Sequence, residues 1–377
     1  MKIAVPKETR EHETRVAAVP ETVKKFVNLG CEVVVETGAG AGASLPDGAY
    51  EAAGASIAGS FAECLKGADV VLKILRPTEG EAEAFEKGQK LFCVMAPFFD
   101  RPLTDALAAR GVDVFAMEFM PRISRAQSMD VLSSQANLAG YKSVIEAANA
   151  YGRGMPQMMT AAGTVAPAKV FIMGVGVAGL QAIATARRLG AIVTATDVRP
   201  ATEEQVASLG AKFIAVKNEE FLNAQTAGGY AKEMSDDYKK QQAELIAGHI
   251  AKQDIVITTA LIPGRKAPIL VTKEMVASMK PGSILVDLAV EQGGNVEGAE
   301  FDRNVVTDNG VTIMGFANVP GRLSADASSL FARNHLNFLS PFLKDGKLEL
   351  DEEDDLVKGI RLTRDGAVVH PNLQNGG

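Results

Sequence analysis

Short apolar runs alternate with helix-length stretches along almost the whole chain. In the first third the runs fall at residues 3–5, 33–36, 70–74, 91–95 and 112–116. A second series follows at 170–173, 192–196, 213–216, 255–258, 284–286 and 311–314. Runs that are short and apolar throughout, instead of at every second position, suit strands buried on both faces. Their alternation with helices predicts parallel sheets covered on both sides. The economical reading is an α/β protein of two Rossmann-like units, each a doubly wound parallel sheet.

Two longer periodic stretches are placed to join the units. Over 134–151, Leu138, Tyr141, Ile145 and Ala148 fall on one helical face, and over 324–339 so do Ala327, Phe331, His335 and Phe338. If both are crossover helices, the first domain is discontinuous, 1–131 plus 323–377, and 132–322 forms the second. A nucleotide-sized cleft would then lie between them. The acidic run 349–355 reads as a solvated surface, and the glycine-ended tail as frayed or as a truncated linker.

Composition narrows the partners. The 377 residues are 47% hydrophobic and 23% charged, with a net charge of -7, which argues against nucleic acid because that role leaves a basic footprint. The cysteines, Cys31, Cys64 and Cys93, show no metal or redox spacing and read as core residues of a reducing compartment. No metal ligand set is expected. The N-terminus runs directly into a strand with no secretory signal, and no apolar run of about 18 residues is present to span a membrane.

Val170-Phe171-Ile172-Met173 leads into Gly174-Val175-Gly176-Val177-Ala178-Gly179, then a helix over 180–189, then a strand ending in Asp197. A lone G-x-G-x-x-G is weak, but strand, helix and second strand are all in place. Gly174 would make the tight turn, Gly176 would admit the pyrophosphate to the backbone, and Gly179 would let helix and strand pack. Asp197 stands where a carboxylate receives the adenosine ribose hydroxyls, so the site is expected to take NAD(H) over NADP(H). Arg199 complicates this, because a nearby arginine can accommodate a 2′-phosphate; it is read as adenine-facing or superficial. Val177 and Val198 complete this part of the expected cofactor set, and Ala260 and Leu261 join it from a later loop at a strand end.

Two polar segments stand out. Residues 227–240 carry Gly228 and Gly229, then Tyr230 and Met234, and read equally as a lid or as a mobile surface insertion. The run 120–135, M-P-R-I-S-R-A-Q-S-M-D-V-L-S-S-Q, packs arginines, an amide, a carboxylate and hydroxyls between a strand and a helix. Nothing in it titrates near neutrality at an unperturbed pKa.

Three strings carry a resemblance. They are Val5-Pro6-Lys7-Glu8-Thr9-Arg10 with Glu13-Thr14-Arg15-Val16-Ala17, Val165-Ala166-Pro167-Ala168-Lys169, and Val286-Asp287-Leu288-Ala289-Val290-Glu291-Gln292-Gly293-Gly294. Together they sample the whole architecture. The chain resembles the family of alanine dehydrogenases and of the NAD(H)-binding domain of proton-translocating nicotinamide nucleotide transhydrogenases. The two branches share a fold and differ in chemistry.

Alanine dehydrogenases carry a lysine in K-x-K-E-P, a histidine ending L-F-x-Y-L-H and an aspartate before Q-G-G. The matching positions here are Leu75, Ala96 and Glu291, and only Arg15 remains of that set. Amino-acid oxidation needs a group to move a proton as the imine forms. Hydride exchange between two nicotinamides needs orientation and dryness instead. The transhydrogenase branch is known for an Arg-Gln-Asp set before the interdomain helix, and Arg122, Gln127 and Asp130 match it. The resemblance implies that Gln127 positions the dihydronicotinamide and that Arg122, paired with Asp130, holds the carboxamide or a phosphate. Ser133 would bond the carboxamide, with Ser128 and Met129 beside the nucleotide. Without the resemblance, a loop whose Asp130 or Ser133 simply caps the next helix is the better reading. The branch also carries a tyrosine lid, which Gly229 and Tyr230 fit.

The implied function is hydride transfer between NAD(H) here and NADP(H) on a partner subunit, coupled to proton movement across a membrane. The implied assembly is a homodimer with an NADP(H)-binding subunit and membrane-spanning subunits, at the cytoplasmic face of the membrane. An alanine-dehydrogenase-like enzyme with an altered site and a non-catalytic NAD-sensing module stay open.

Overall fold

The structure is a computed structural model that describes residues 1–224, 234–262 and 264–374. By its contacts the chain divides into unit 1, Met1–Gln135 with Pro320–Gly377, and unit 2, Ala136–Val319.

Unit 1 is built on six parallel strands in the order Ser56–Ala58, Glu32–Glu36, Lys2–Val5, Val70–Leu75, Lys90–Val94, Asp113–Ala116. Consecutive residues of its central strand face opposite layers: Ile3 and Val5 join one core and Ala4 the other. That two-sided burial is why these strands read as apolar runs without alternation. Helix Ser324–Leu339 buries Ala327, Phe331, His335 and Phe338 in the larger core.

Unit 2 repeats the winding in seven strands, ordered Lys212–Phe213, Ile192–Thr196, Lys169–Met173, Ile255–Thr258, Ile284–Asp287, Thr312–Gly315, Arg303–Val306. Val170 and Ile172 point into one core, Phe171 and Met173 into the other. The last strand is antiparallel and was not expected, because Arg303-Asn304-Val305-Val306 is mostly exposed and lacks an apolar run. A small hairpin, Met158–Thr160 with Gly163–Val165, was also unforeseen. Both sheets thus have the two doubly wound halves that the hydrophobic pattern predicts.

Two expectations are corrected. Helix Val131–Ala150 buries Gly140, Ser143, Val144 and Ala147, whereas Tyr141, expected on the inward face, is exposed. The small residues decide the facing, since a Cβ at Gly140 would overlap the Ala178 carbonyl oxygen. The tail is docked up to Gln374: Leu373 is buried and its carbonyl accepts from Arg101 Nη1 at 2.6 Å. The acidic run 349–355 is at the surface as expected, none of its residues buried; within it Asp354 caps helix Asp355–Ile360 and pairs with Arg125, while Glu352 pairs with Arg361 and Arg364. The three cysteines are buried and form no disulfide.

Candidate functional site

In unit 2 the strand order reverses between Lys169–Met173 and Ile255–Thr258. A doubly wound sheet binds ligands beyond its strand ends at such a point. The glycine fingerprint occupies it. Gly174 adopts a φ of +99°, and a Cβ there would lie 2.6 Å from Thr259 Oγ1. A Cβ on Gly179 would overlap the Gly174 carbonyl oxygen, so helix Val177–Arg188 seats on the turn only because no side chain intervenes. Gly176 differs, because none of the described residues lies within 4 Å of where its Cβ would stand. That open space is at the N-cap of the helix, where unpaired N–H groups and the helix dipole favour an anion. The geometry fits a diphosphate.

Around this floor the expected cofactor residues take distinct places. Val177, Val198 and Leu261 are exposed, and Ala260 is half-buried. Asp197, at the end of strand Ile192–Thr196, accepts from the Val175 N–H at 2.7 Å, which ties the strand end to the fingerprint. Arg199 is half-buried and its guanidinium closes on Asp197, with Nε donating to Oδ1 at 2.9 Å. Gly229 and Tyr230 lie outside the described residues. Met234, beside them in sequence, is partly buried against the unit 2 core.

The loop that follows strand Ile284–Asp287 is organised by a buried carboxylate. Asp287 accepts backbone N–H bonds from Ala289, Asn295 and Val296, and burial pushes its carboxyl above the usual range against the pull of those bonds. Glu291 accepts from the Asn318 N–H at 2.7 Å. Asn295, buried, reaches across to Ala260 and fixes the loop that carries it. Sequence reasoning missed Asn295; the only signal was a polar residue directly after Gly293-Gly294, and its partner is distant in the chain.

In unit 1 the run 120–135 forms the short 3-10 helix Ser124–Met129 and then helix Val131–Ala150. Arg122, Gln127 and Ser128 are exposed, and the Gln127 side chain bonds to none of the described residues. The carboxylate of Asp130 is engaged by Ser133, through its N–H at 2.9 Å and its hydroxyl at 2.5 Å, which caps the helix. Met129 was expected beside the nucleotide, but its side chain is buried in the unit 1 core, which leaves only its backbone for that role. The Ser128 carbonyl accepts from both Asn334 and Asn337, which pin the loop to helix Ser324–Leu339.

The remnants of amino-acid chemistry are turned inward. Arg15 is buried, its Nε and Nη2 donating to the two oxygens of Glu13 and its Nη1 to Gln135 at 2.8 Å. Lys73 lies 3.3 Å from Glu8 and 3.5 Å from Glu81, both almost fully buried. The unit 1 switch point, between Lys2–Val5 and Val70–Leu75, is thus filled by the unit's own charges. Ala96 holds a left-handed φ of 48° and donates its N–H to Glu118. Among the described residues no cluster of His, Cys, Asp or Glu has the makings of a metal site.

A family model described as alanine dehydrogenase/PNT, N-terminal domain, matches residues 4–139, and one described as alanine dehydrogenase/PNT, C-terminal domain, matches residues 143–371. The chain belongs to the alanine dehydrogenase/PNT family. Within this family it is 57% identical over 384 residues to the first part of the NAD(P) transhydrogenase alpha subunit of Rhodospirillum rubrum, covering 100% of both chains. It is 32% identical to the alanine dehydrogenase of Methanococcus maripaludis, over 98% of this chain and 95% of that one. The crystal structure of transhydrogenase from Sinorhizobium meliloti superimposes with a TM-score of 0.89 at 55% identity, covering 98% of this chain and 100% of that one. The family's fold, two Rossmann-like α/β units, is the one described above. No described helix is long and apolar enough to cross a membrane.

Proposed function

We propose that this chain is the NAD(H)-binding component of a proton-translocating transhydrogenase. The observation that carries the proposal is full-length similarity to a piece of a transhydrogenase alpha subunit, joined to the replacement of an amino-acid dehydrogenase's lysine and histidine by Leu75 and Ala96. Leu75 and Ala96 cannot exchange a proton, and Arg15 is already neutralised by Glu13.

In this reading the N-terminus of helix Val177–Arg188 receives the diphosphate and Asp197 the adenosine ribose, with preference for NAD(H) over NADP(H). Bound NADH supplies a hydride from its nicotinamide ring. The chain's own residues bind, orient and exclude water. Gln127, exposed and bonded to none of the described residues, is the side chain free to position the ring, and Arg122 assists through the carboxamide or a phosphate. Asp130 and Ser133 fix the loop that presents them. Gly229 and Tyr230 serve a lid.

The NADP(H) site and the proton path belong to partner subunits, some of them membrane-spanning. The chain acts as a homodimer docked on them at the cytoplasmic face.

The test mixes the purified chain with NADH and an NADP⁺ analogue, with and without an NADP(H)-binding partner. Turnover only with the partner is the expected result. NADH-dependent consumption of pyruvate and ammonia by the chain alone would overturn the proposal in favour of an alanine dehydrogenase. Tight NADH binding with no redox activity in any mixture would favour a sensor.

A further inference from the structure

The carboxylate at the expected ribose position is already saturated. Asp197 Oδ1 accepts from the Arg199 backbone N–H and from Arg199 Nε, both at 2.9 Å. Its Oδ2 accepts from the Val175 N–H at 2.7 Å and from Arg199 Nη2 at 3.0 Å. A carboxylate offers about four lone-pair sites, and here four N–H groups occupy them. Arg199 Nη2 also donates to the Val175 carbonyl at 3.2 Å, which braces the guanidinium across the fingerprint turn.

A ribose diol brings two hydroxyl donors and needs one acceptor site on each oxygen. Two of the four occupants belong to the backbone, at Val175 and Arg199, and stay with the fold. The other two, Nε and Nη2, belong to one side chain and leave together when it rotates. Its release therefore frees one site on Oδ1 and one on Oδ2, the number that a diol requires. The Arg199 side chain is 32% exposed, so rotation carries it toward solvent without unpacking a core.

We propose that Arg199 is a specificity-determining residue: it occupies the ribose-diol receptor of the free protein, and the nucleotide must displace it. Once displaced, its guanidinium is the cation available at that rim for a 2′-phosphate. The same side chain thus weakens NAD(H) binding and admits NADP(H). This inference rests on the reading of the fingerprint as a dinucleotide site.

The test titrates the full chain and its Arg199→Ala variant with NADH, NADPH and 2′-deoxy-NADH, with circular dichroism confirming that both fold. The expected result is NADH binding about threefold to tenfold tighter in the variant, with NADPH weaker than in the parent chain. The gain disappears with 2′-deoxy-NADH, which lacks a hydroxyl to use the freed acceptor; a merely structural role would not distinguish the two nucleotides. An Arg199→Lys variant, unable to make the bidentate contact, falls between parent and alanine variant. Unchanged or weaker NADH binding in Arg199→Ala overturns the inference while leaving the dinucleotide site standing. A parent chain that binds none of these nucleotides overturns both.

Discussion

Asn295 holds Ala260 by both of its backbone polar groups: Oδ1 accepts the Ala260 N–H at 3.0 Å and Nδ2 donates to the Ala260 carbonyl at 2.9 Å. The same Nδ2 reaches the Pro268 carbonyl at 2.7 Å, while the Asn295 N–H is anchored on Asp287. One step further, Thr259 Oγ1 donates to the Gly174 carbonyl at 3.1 Å. A chain of bonds thus runs from the 287–296 loop to the fingerprint, wholly inside unit 2.

Breaking that chain at Asn295 affects stability and binding together. Asn295→Ala leaves half-buried backbone groups of Ala260 and Pro268 without this partner, at about 1 kcal/mol each. A lowered thermal midpoint and an NADH dissociation constant raised by about tenfold are expected from calorimetry. Loss of stability with unchanged NADH affinity would show that the loop does not serve the nucleotide.

The two helix-side glycines separate folding from binding. Gly176→Ala has open space for its methyl group and keeps the parent's thermal midpoint, but the methyl group stands where the diphosphate would lie. NADH affinity falls by about tenfold or more. Gly179→Ala collides with the Gly174 carbonyl and lowers the midpoint by several degrees even without nucleotide. Melting curves with and without NADH read both effects; equal stability losses in the two variants would contradict the assignment.

Gln127→Asn shortens by one methylene an exposed side chain that hydrogen-bonds to none of the described residues. Hydride transfer to an NADP⁺ analogue, measured with the partner present, slows far more than NADH binding weakens. Proportionate losses in the two would argue for a binding contact instead of an orienting one.

Glu118 makes stability depend on pH. Burial pushes its carboxyl up to about 7, against the pull of the Met95 and Ala96 N–H bonds. Between pH about 4.5 and about 7 the native chain keeps a proton that the unfolded chain has released, so stability falls as pH rises through that window, by about 3 kcal/mol, and levels off above it. His335 works in the opposite sense: burial depresses it to about 4, and its contribution is lost as pH falls from about 6.5. The difference between the parent and Glu118→Gln, followed by urea denaturation across that range, isolates the carboxyl. The variant retains an acceptor for Ala96 and gains relative stability toward pH about 7; a difference that stays flat with pH would remove Glu118 from this role.

Much of the architecture was legible because burial on both faces writes itself as unbroken apolar runs, as in Val70–Leu75 and Lys169–Met173. The fingerprint was legible for a related reason, since each glycine marks a place where a side chain has no room or a ligand needs it. Strand Arg303–Val306 was hidden, because an exposed edge strand needs no apolar run. The inward face of Val131–Ala150 was misjudged because close approach favours Gly140 and Ala147 over large residues, and hydrophobic periodicity weighs size. Arg199 was visible as a cation, whereas its closure on Asp197 was not. Its rotamer depends on how the Val175 turn presents its carbonyl, which no spacing rule encodes.

The fusion of turn and helix at Gly174 and Gly179 leaves no slack in the floor of the proposed dinucleotide site. A floor that cannot yield recognises the portion that all such nucleotides share, and it recognises it in one way only. On that reading, discrimination between cofactors falls to the rim, where the exposed Val198 and the solvent-side Arg199 can be exchanged without unpacking a core. If the fingerprint holds a dinucleotide, changes of cofactor preference are within reach of one or two rim substitutions, whereas a substitution at a fingerprint glycine strikes at binding itself.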